Sequence, residues 1–282
     1  MRTLNMYFYH QGNFFNDINV IDCADKSFQL GDGFFTTLLL DVGHVLFLTE
    51  HVARLNDTSK ALGYDWQISV KALRIILKKL CILNEGQQQQ LRVRVMVSRG
   101  VGNPGLYDNK SIATLSVIVS PWKQTQVPKS LIWATHPLFA ESLLVQYKTT
   151  SRLEYVLAMK QALEQGADDA ILCDRQQHVL CSSCANIFVL NANGKWLTPS
   201  GGLPGITRGA ILKAFAGDIC EADISADALL SAKCIVLSNA LLGVHLAYLQ
   251  ELPTHAINYF DTFKQRFITY CHQYRENINR LG

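Results

Sequence analysis

The segment Gly201-Gly202-Leu203-Pro204-Gly205-Ile206-Thr207-Arg208 is a glycine-rich loop that runs directly into a helical pattern. Ile211 and Leu212 fall in the early turns of the predicted helix. The N–H groups of a first helical turn, together with the helix dipole, favour an anion, so the stretch predicts a phosphate site at Ile206 and Thr207. An ordinary loop closed by a threonine N-cap is the alternative, and for this stretch alone it is the commoner case.

Lys148 is the second feature that can take part in catalysis. It follows an apolar stretch, Leu143-Leu144-Val145, that we predict to be a strand, and it precedes Thr149-Thr150-Ser151, which can cap a helix. At such a junction a desolvated amine acts as a nucleophile or base, whereas the commoner solvated loop lysine has no such role. Arg54, on the first long helical pattern, is either a phosphate ligand or an ordinary surface cation.

The composition around these features is that of an ordinary globular protein. The chain has 282 residues, of which 49% are hydrophobic and 17% charged, with 18 Gly and 7 Pro, which excludes collagen-like, low-complexity and intrinsically disordered proteins. The formal net charge of +3 is too small to indicate a nucleic acid or an anionic membrane as partner. A chain of this length builds one large domain or two of ordinary size.

The periodicity of apolar residues predicts mixed strands and helices in both halves of the chain, which places the fold in the α/β or α+β class. The predicted strands are 34–40, 45–48, 91–98, 113–120, 131–135, 170–173, 187–190 and 196–197, the last two joined by a hairpin at Asn193-Gly194. The predicted helices are 50–62 capped by Thr49 and stopped at Gly63, one from Ser69 to 84, 151–165 ended by Gly166, two that begin near Thr207 and Ser225, and 258–279.

Periodicity is lost near Pro121 and Pro128, and this loss predicts the domain boundary. We expect a smaller N-terminal α/β domain over 1–121, a linker over 122–129 and a larger C-terminal domain over 130–282. A cleft between two such domains is the default ligand site.

Two further motifs have ordinary explanations. Gly100-Val101-Gly102-Asn103-Pro104-Gly105 spells a dinucleotide fingerprint, but Pro104 and the residues after it do not open a helix, so we predict a connecting loop. Cys181-Ser182-Ser183-Cys184 is a C-x-x-C motif without a second ligand pair, so it is a weak indication of redox or zinc chemistry, and we predict no metal site.

The spacing of the cysteines and the hydropathy of the chain indicate the cellular compartment of the protein. The eight cysteines are spread along the chain, and the first residues lack the apolar run of a signal peptide, so we expect reduced thiols and a cytoplasmic protein. The longest uncharged run, 234–250, is broken by polar residues and falls short of a membrane span.

Six segments in order resemble the fold-type IV pyridoxal-phosphate enzymes, the family of branched-chain and D-amino-acid aminotransferases and of aminodeoxychorismate lyase. The resemblance covers nearly the whole chain, and although each segment is weak alone, their common order makes the pattern specific. The segments are Asp25-Lys26-Ser27-Phe28-Gln29-Leu30-Gly31-Asp32-Gly33-Phe34-Phe35-Thr36-Thr37, His51-Val52-Ala53-Arg54-Leu55, Lys148-Thr149-Thr150-Ser151-Arg152-Leu153-Glu154, Ala185-Asn186-Ile187-Phe188, Leu203-Pro204-Gly205-Ile206-Thr207-Arg208 and Leu237-Ser238-Asn239-Ala240-Leu241.

The resemblance implies a two-domain fold-type IV architecture, similar to D-amino-acid aminotransferase, with the active site between the domains. It also implies a homodimer and pyridoxal 5′-phosphate (PLP) as cofactor. Lys148 would hold the cofactor as a Schiff base and move protons. The expected cofactor and substrate contacts, which the resemblance also implies, are Arg54, Cys181, Ile206, Thr207, Asn239 and Ala240 for the cofactor, and Thr36 and Arg152 for the substrate.

Within the family, Arg152-Leu153-Glu154 and Asn239-Ala240-Leu241 are more similar to the lyase than to the aminotransferases. The implied activity is elimination of pyruvate from 4-amino-4-deoxychorismate, a small anionic substrate, to leave 4-aminobenzoate, a precursor in folate biosynthesis. The alternatives are a branched-chain or D-amino-acid aminotransferase, and a PLP-binding protein with weak or no catalysis.

Two positions depart from the family pattern. Cys181 stands where relatives usually have the glutamate that pairs with the pyridine nitrogen. A neutral thiol does not hold that nitrogen protonated as a carboxylate does, so the electron sink should be weaker, which an aminotransferase tolerates less than a lyase with an aromatic product. Pro104 and Leu106 stand where relatives often have Arg and Tyr, so a cation for a substrate carboxylate is missing there.

Overall fold

The structure, a computed structural model, describes residues 6–16, 21–107 and 110–278, which divide into two units. Unit 1 runs up to Lys123 and includes Lys148–Ser151 and the segment from Tyr274, whereas unit 2 consists of Gln124–Tyr147 and Arg152–Gln273. The domain limits predicted from the sequence remain a prediction, and their outer ends, 1–5 and 279–282, lie outside the described residues.

Helices and strands are interspersed along the described residues. The helices are α1 (Lys26–Leu30), α2 (Leu48–Ala61), α3 (Val70–Leu83), α4 (Leu153–Glu164), α5 (Ile206–Phe215), α6 (Ala226–Leu230) and α7 (Ala256–Cys271), with 3₁₀ turns at Leu143–Gln146 and His272–Tyr274. The strands are β1 (Phe8–His10), β2 (Asn13–Phe15), β3 (Gly33–Asp41), β4 (His44–Leu46), β5 (Gln90–Ser98), β6 (Thr114–Pro121), β7 (Lys129–Trp133), β8 (Asp169–Cys173), β9 (Val179–Ser182), β10 (Asn186–Leu190), β11 (Trp196–Pro199), β12 (Ile219–Ala222), β13 (Cys234–Asn239), β14 (Gly243–Tyr248) and β15 (Arg275–Asn277).

Unit 1 is an antiparallel sheet in the order β15-β4-β3-β5-β6-β1-β2, with α2 and α3 on one face. The alternation of β5 shows why: Leu91, Val93, Val95 and Val97 are buried in the core that includes the apolar side of both helices, whereas the residues between them are half-buried on the other face. One face of the sheet therefore packs in the core, and the other face is half-buried.

Unit 2 is a mixed sheet in the order β12-β11-β10-β13-β14-β7-β8-β9. The β11–β12, β14–β7 and β7–β8 pairs are parallel, and the other pairs are antiparallel. Phe263 of α7 packs against Phe188, Trp196 and Phe215, with ring centroids 4.5 to 5.6 Å apart. On other strands, the buried residues of α4 pack against β8 and β9.

Several local expectations are confirmed. Ser69 is the N-cap of α3, and its hydroxyl accepts a hydrogen bond from the Ala72 N–H. Gly63 and Gly166 follow α2 and α4 with φ of +66° and +74°, as helix-ending glycines do. The Asn193-Gly194 turn joins two antiparallel strands, β10 and β11.

Three local expectations are wrong. Leu143-Leu144-Val145 is part of a 3₁₀ turn and not a strand, because the Ser142 hydroxyl accepts from the Leu144 N–H and caps it. Thr49 is not the N-cap of α2, since the helix starts at Leu48, two residues before the predicted start at 50, and follows Phe47 at φ +57°. The last helix ends at Cys271 and not at 279, and the chain after it forms β15 in the sheet of unit 1. Residue 279 lies outside the described part.

The Gly100–Gly105 stretch is a connecting loop, as expected. Lys26 is buried, and its ammonium donates to the carbonyls of Asn103 at 2.6 Å and Gly105 at 2.9 Å. The stretch therefore has a structural role in holding a buried lysine. Across the described ranges, every helix is too short or too polar to span a bilayer.

Gly100 gives a stability prediction. Its φ is +83°, and a Cβ would collide with the backbone carbonyl oxygen of Ile112, so Gly100→Ala should lower the free energy of unfolding by about 2 kcal/mol or more. Gly209→Ala in α5 is the matched control, because its methyl meets open space and the helix favours alanine. Urea unfolding measures both. Equal stability of the two variants would contradict this role of Gly100.

Candidate active site

Lys148 is held by backbone pairing with the first residues of β3. The Phe35 N–H donates to the Lys148 carbonyl and the Thr150 N–H donates to the Gly33 carbonyl, both at 2.8 Å. The Thr150 hydroxyl adds a bond of 2.6 Å to the carbonyl of Gly31. The lysine therefore sits on a short rigid segment bound to a central part of the unit 1 sheet.

The groups around Lys148 are cationic, aromatic and neutral polar. Its Nζ lies 5.1 Å from the ring centroid of Phe35. His51 of α2 is buried and shares a hydrogen bond of 2.6 Å with the Thr36 hydroxyl. Burial lowers the pKa of His51 to about 3, and the positive charges of Arg54 and Lys148 contribute to that fall. Thr36, Arg54 and Lys148 are thus brought together around a neutral histidine.

Arg54 lies one turn after His51 on α2, so both side chains leave the same side of the helix. Burial lowers the pKa of Arg54 to about 10, yet the guanidinium stays charged at neutral pH. A cation kept charged in a poorly solvated position is suited to binding an anion such as a phosphate.

In unit 2, Gly205 is the N-cap of α5, and the next residues, Ile206 and Thr207, present the N–H groups of its first turn. A Cβ on Gly205 would collide with the amide oxygen of Asn186, whose Nδ2 donates to the Leu203 carbonyl at 2.8 Å. The glycine is therefore required for the loop to lie against β10. The helix start is shaped as an anion cradle in which the N-cap residue has no side chain to intrude.

The Asn239-Ala240 turn is ordered by the asparagine side chain. Its amide oxygen accepts from the N–H groups of Leu241 at 2.9 Å and Leu242 at 2.8 Å, and its Nδ2 donates to the Cys184 carbonyl at 3.2 Å. The turn after β13 is thereby tied to the segment that follows Cys181.

Cys181 lies buried in β9 among apolar residues that include Tyr155. Burial raises the pKa of Tyr155, and the nearby Cys181 adds to that rise, while the Arg152 guanidinium lies 3.2 Å from the tyrosine ring centroid. Arg152, Tyr155 and Cys181 therefore form one cluster. In the described parts of the chain, no group of three or more His, Cys, Asp and Glu residues is arranged to hold a metal ion.

Asp169 fixes the backbone after Cys181. It is buried, and its carboxylate accepts from the Ser182 hydroxyl at 2.8 Å, from the N–H and hydroxyl of Ser183, and from the Cys184 thiol at 3.1 Å. The C-x-x-C motif thus serves as a carboxylate-binding turn in this structure.

Sequence reasoning found most of these positions but missed the groups that support them. The sequence assigned no role to His51, Phe35 or Asp169, although His51 stands one helical turn from Arg54 and Asp169 directly precedes the apolar run 170–173. Within unit 1 the structure brings Thr36, Arg54 and Lys148 together. Within unit 2 it brings together Arg152 with Cys181, and it ties Asn239 to the turn after Cys181.

The chain matches a known family over most of its length. The family model for amino-transferase class IV matches residues 33–245. A putative branched-chain-amino-acid aminotransferase of Methanocaldococcus jannaschii is 29% identical over 217 residues, 74% of each chain. The aminodeoxychorismate lyase of Vibrio harveyi is 26% identical over 242 residues, 79% of this chain and 85% of the lyase. A crystal structure of a putative 4-amino-4-deoxychorismate lyase from Legionella pneumophila has a TM-score of 0.78 at 23% identity, covering 88% of this chain and 95% of that one.

The pKa of His51 predicts a pH dependence of stability. The folded pKa is about 3, whereas that of an exposed histidine is near 6.5, so between these values the unfolded chain binds more protons and stability rises with pH. Lowering the pH from 7.5 to 5 should lower the free energy of unfolding by about 2 kcal/mol through protonation of this histidine in the unfolded chain.

Urea titrations at the two pH values test this, with His51→Gln expected to lose that part of the pH dependence. His272→Gln, which changes an exposed histidine, is the control and should keep it. An unchanged dependence in His51→Gln would show that His51 is not the group responsible.

Proposed function

Because this chain belongs to the class IV aminotransferase family, whose members depend on PLP, we propose that it is an aminodeoxychorismate lyase. The reaction would eliminate pyruvate from 4-amino-4-deoxychorismate and leave 4-aminobenzoate. The observation that carries the proposal is Cys181, a buried cysteine at the position where, by the resemblance to the family, a glutamate would strengthen the cofactor's electron sink. The match to the Vibrio harveyi lyase, which covers more of both chains than the aminotransferase match, supports it.

Each unit, taken separately, offers groups that suit a part of PLP. Unit 1 offers Lys148 on a rigid segment and the half-buried cation of Arg54. Unit 2 offers the start of α5, whose N-cap Gly205 has no side chain and whose first turn presents the N–H groups of Ile206 and Thr207. We assign to one PLP molecule the residues Arg54, Lys148, Cys181, Ile206, Thr207, Asn239 and Ala240, with Thr36 and Arg152 toward the substrate.

The proton transfers fall to Lys148. Bound PLP supplies an electron sink for the carbon that loses its proton. Lys148 would be the residue that holds the cofactor, and its Nζ would remove the proton from the amine-bearing carbon of the substrate. His51 is not the base, because a group with a pKa of about 3 binds protons too weakly near neutral pH. Its hydrogen bond with Thr36 instead keeps a neutral, ordered surface beside the lysine.

Cys181 bears on the choice between lyase and aminotransferase. Cys181 is buried among Tyr155 and other apolar side chains of unit 2. A cysteine in its thiol form would give a pyridine nitrogen no negative charge, unlike a glutamate carboxylate. An aminotransferase needs a strong electron sink in both halves of its cycle, whereas aromatisation drives the elimination. The weaker sink therefore favours the lyase over a branched-chain or D-amino-acid aminotransferase, which is the second candidate because such enzymes are also among the relatives.

The proposal includes a homodimer. The outer side of α4 exposes Leu153, Val156, Leu157 and Leu163, which recur at helical spacing, while its inner side packs Ala158 and Ala162 against the sheet. An apolar stripe on one helix is the kind of surface that a second copy of the chain covers.

The product assay tests the function. Purified protein loaded with PLP should convert 4-amino-4-deoxychorismate to equal amounts of 4-aminobenzoate and pyruvate, and Lys148→Ala should lower the rate by about 10³-fold or more, since it removes the base. Lys79→Ala, an exposed lysine of α3, is the matched control and should keep the rate. Turnover only of D-alanine or leucine with 2-oxoglutarate would refute the lyase.

Cys181→Glu gives a separate test of the weak sink. A carboxylate at this position should raise side activity with amino acids and 2-oxoglutarate by about tenfold or more, because it stabilises a protonated ring nitrogen. The absorbance of the bound cofactor should shift as well. Cys181→Ser is the control of similar size and should leave both unchanged. If Cys181→Glu binds PLP with an unaltered spectrum and activity, a group other than residue 181 contacts the pyridine nitrogen.

A further inference from the structure

Tyr155 is the member of the cluster with Arg152 and Cys181 to which the proposed chemistry assigns no role. It stands in the first turn of α4, is 8% exposed, and packs in the same core cluster of unit 2 as Cys181. Ala158 and Ala162 are the other buried residues of α4, and their small side chains let the helix lie close to β8 and β9. A phenol is therefore held in the neighbourhood of residue 181.

Cys181 leaves room beside it compared with the glutamate expected from the family pattern. Its side chain ends at Sγ, well short of the place that the carboxylate of a glutamate would reach from the same backbone position. The pyridine nitrogen that we assign to this end of the site therefore needs a partner from another residue, because a buried polar atom without a hydrogen bond weakens binding.

The Tyr155 hydroxyl has the chemistry of such a partner. Burial raises the pKa of Tyr155, and the nearby Cys181 adds to that rise, so the phenol keeps its hydrogen at neutral pH. A protonated phenol donates a hydrogen bond, and an unprotonated pyridine nitrogen accepts one. The sulfur of Cys181 is a weak acceptor, so it competes poorly with a ring nitrogen for this donor.

Arg152 supports the same arrangement from the face of the tyrosine ring. Its guanidinium carbon lies 3.2 Å from the ring centroid of Tyr155, which restrains the ring by stacking. Because an arginine has donors only, any hydrogen bond between the two side chains leaves the hydrogen of the phenol to be donated elsewhere. The positive charge of Arg152 also disfavours a second positive charge on a ring nitrogen nearby.

We propose that the Tyr155 hydroxyl donates a hydrogen bond to the pyridine nitrogen of PLP and that this nitrogen stays unprotonated. The inference rests on the proposed function, in which PLP contacts Cys181, and deepens it by naming the partner of the ring nitrogen. An unprotonated nitrogen withdraws electrons less than a pyridinium does. The electron sink is then weak because a neutral donor has taken the place of a carboxylate, which suits an elimination driven by aromatisation.

Cofactor binding tests Tyr155 without relying on turnover. The protein freed of cofactor is titrated by calorimetry with PLP and with its deaza analogue, in which a C–H group replaces the ring nitrogen. Tyr155→Phe should raise the Kd for PLP by about tenfold and change that for the analogue by less than about threefold, since only PLP loses a hydrogen bond.

Tyr64→Phe is the matched control. Tyr64 is also 8% exposed, and the guanidinium carbon of Arg99 lies 3.6 Å from its ring centroid, but its hydroxyl donates to Asp32 in unit 1. This variant should change the Kd for PLP by less than about threefold. An unchanged Kd for PLP in Tyr155→Phe, or an equal rise for PLP and the deaza analogue, overturns the proposal.

The wild type gives a second test that does not depend on the folding of any variant. PLP carrying the heavy nitrogen isotope in its ring is bound to the protein, and nitrogen NMR separates a neutral pyridine from a pyridinium. The proposal predicts the neutral form, with a resonance that moves in Tyr155→Phe and stays in place in Tyr64→Phe. A pyridinium signal in the wild type overturns it.

Failure of the inference and failure of the proposed function give different results. If the wild type forms 4-aminobenzoate but its ring nitrogen is protonated, only the role of Tyr155 falls. If the wild type turns over amino acids and not aminodeoxychorismate, the lyase falls. The two Kd values in Tyr155→Phe then still decide the role of Tyr155, because cofactor binding does not depend on which substrate reacts.

Discussion

The backbone pairing of Lys148 and Thr150 with β3 is the constraint on which the chemistry of this protein depends. The chain before and after Lys148–Ser151 belongs to unit 2, yet these four residues belong to unit 1. Two hydrogen bonds of 2.8 Å, from Phe35 to Lys148 and from Thr150 to Gly33, hold them there. The Thr150 hydroxyl adds a bond to the carbonyl of Gly31, and the lysine amine lies 5.1 Å from the ring centroid of Phe35.

The charges around this lysine explain its proposed role as the base. Arg54 and Lys148 both act on His51, and together with burial they keep the histidine neutral. A neutral imidazole bonded to Thr36 adds no further positive charge to a region that already holds two cations. Such a region favours anions, and both the phosphate of PLP and the carboxylates of the proposed substrate are anions. The region around Lys148 is thus strongly cationic although the net charge of the whole chain is modest.

The sequence predicts well the elements that local chemistry decides. The loop from Gly201 to Arg208 does run into α5, and Ser69 does cap α3, since each depends on residues a few positions apart. The pairing of Lys148 with β3 joins residues far apart in the chain, so no local pattern reveals it. For the same reason the sequence shows Arg94 only as an alternating strand residue, whereas the structure places its guanidinium 3.7 Å from the Phe35 ring centroid, which lies 5.1 Å from the Lys148 Nζ.

The errors have physical causes of the same kind. The apolar residues 143–145 have a strand-like composition, but the hydroxyl of Ser142 stabilises a 3₁₀ turn that competes with extended backbone. β9 escaped notice because cysteine and serine give a weak strand signal, and its place depends on the buried carboxylate of Asp169. Short-range patterns thus predicted the starts of α3 and α5, whereas long-range hydrogen bonds decide what surrounds Lys148 and Cys181.

The central claim, that Lys148 carries the cofactor, has one direct measurement. The PLP-loaded protein is reduced with borohydride, digested and analysed by peptide mass spectrometry. The account predicts a phosphopyridoxyl group on the peptide that contains Lys148 and on no other. A modified peptide containing a different lysine, such as the buried Lys26 that binds the Asn103 and Gly105 carbonyls, or no modified peptide at all, would contradict it.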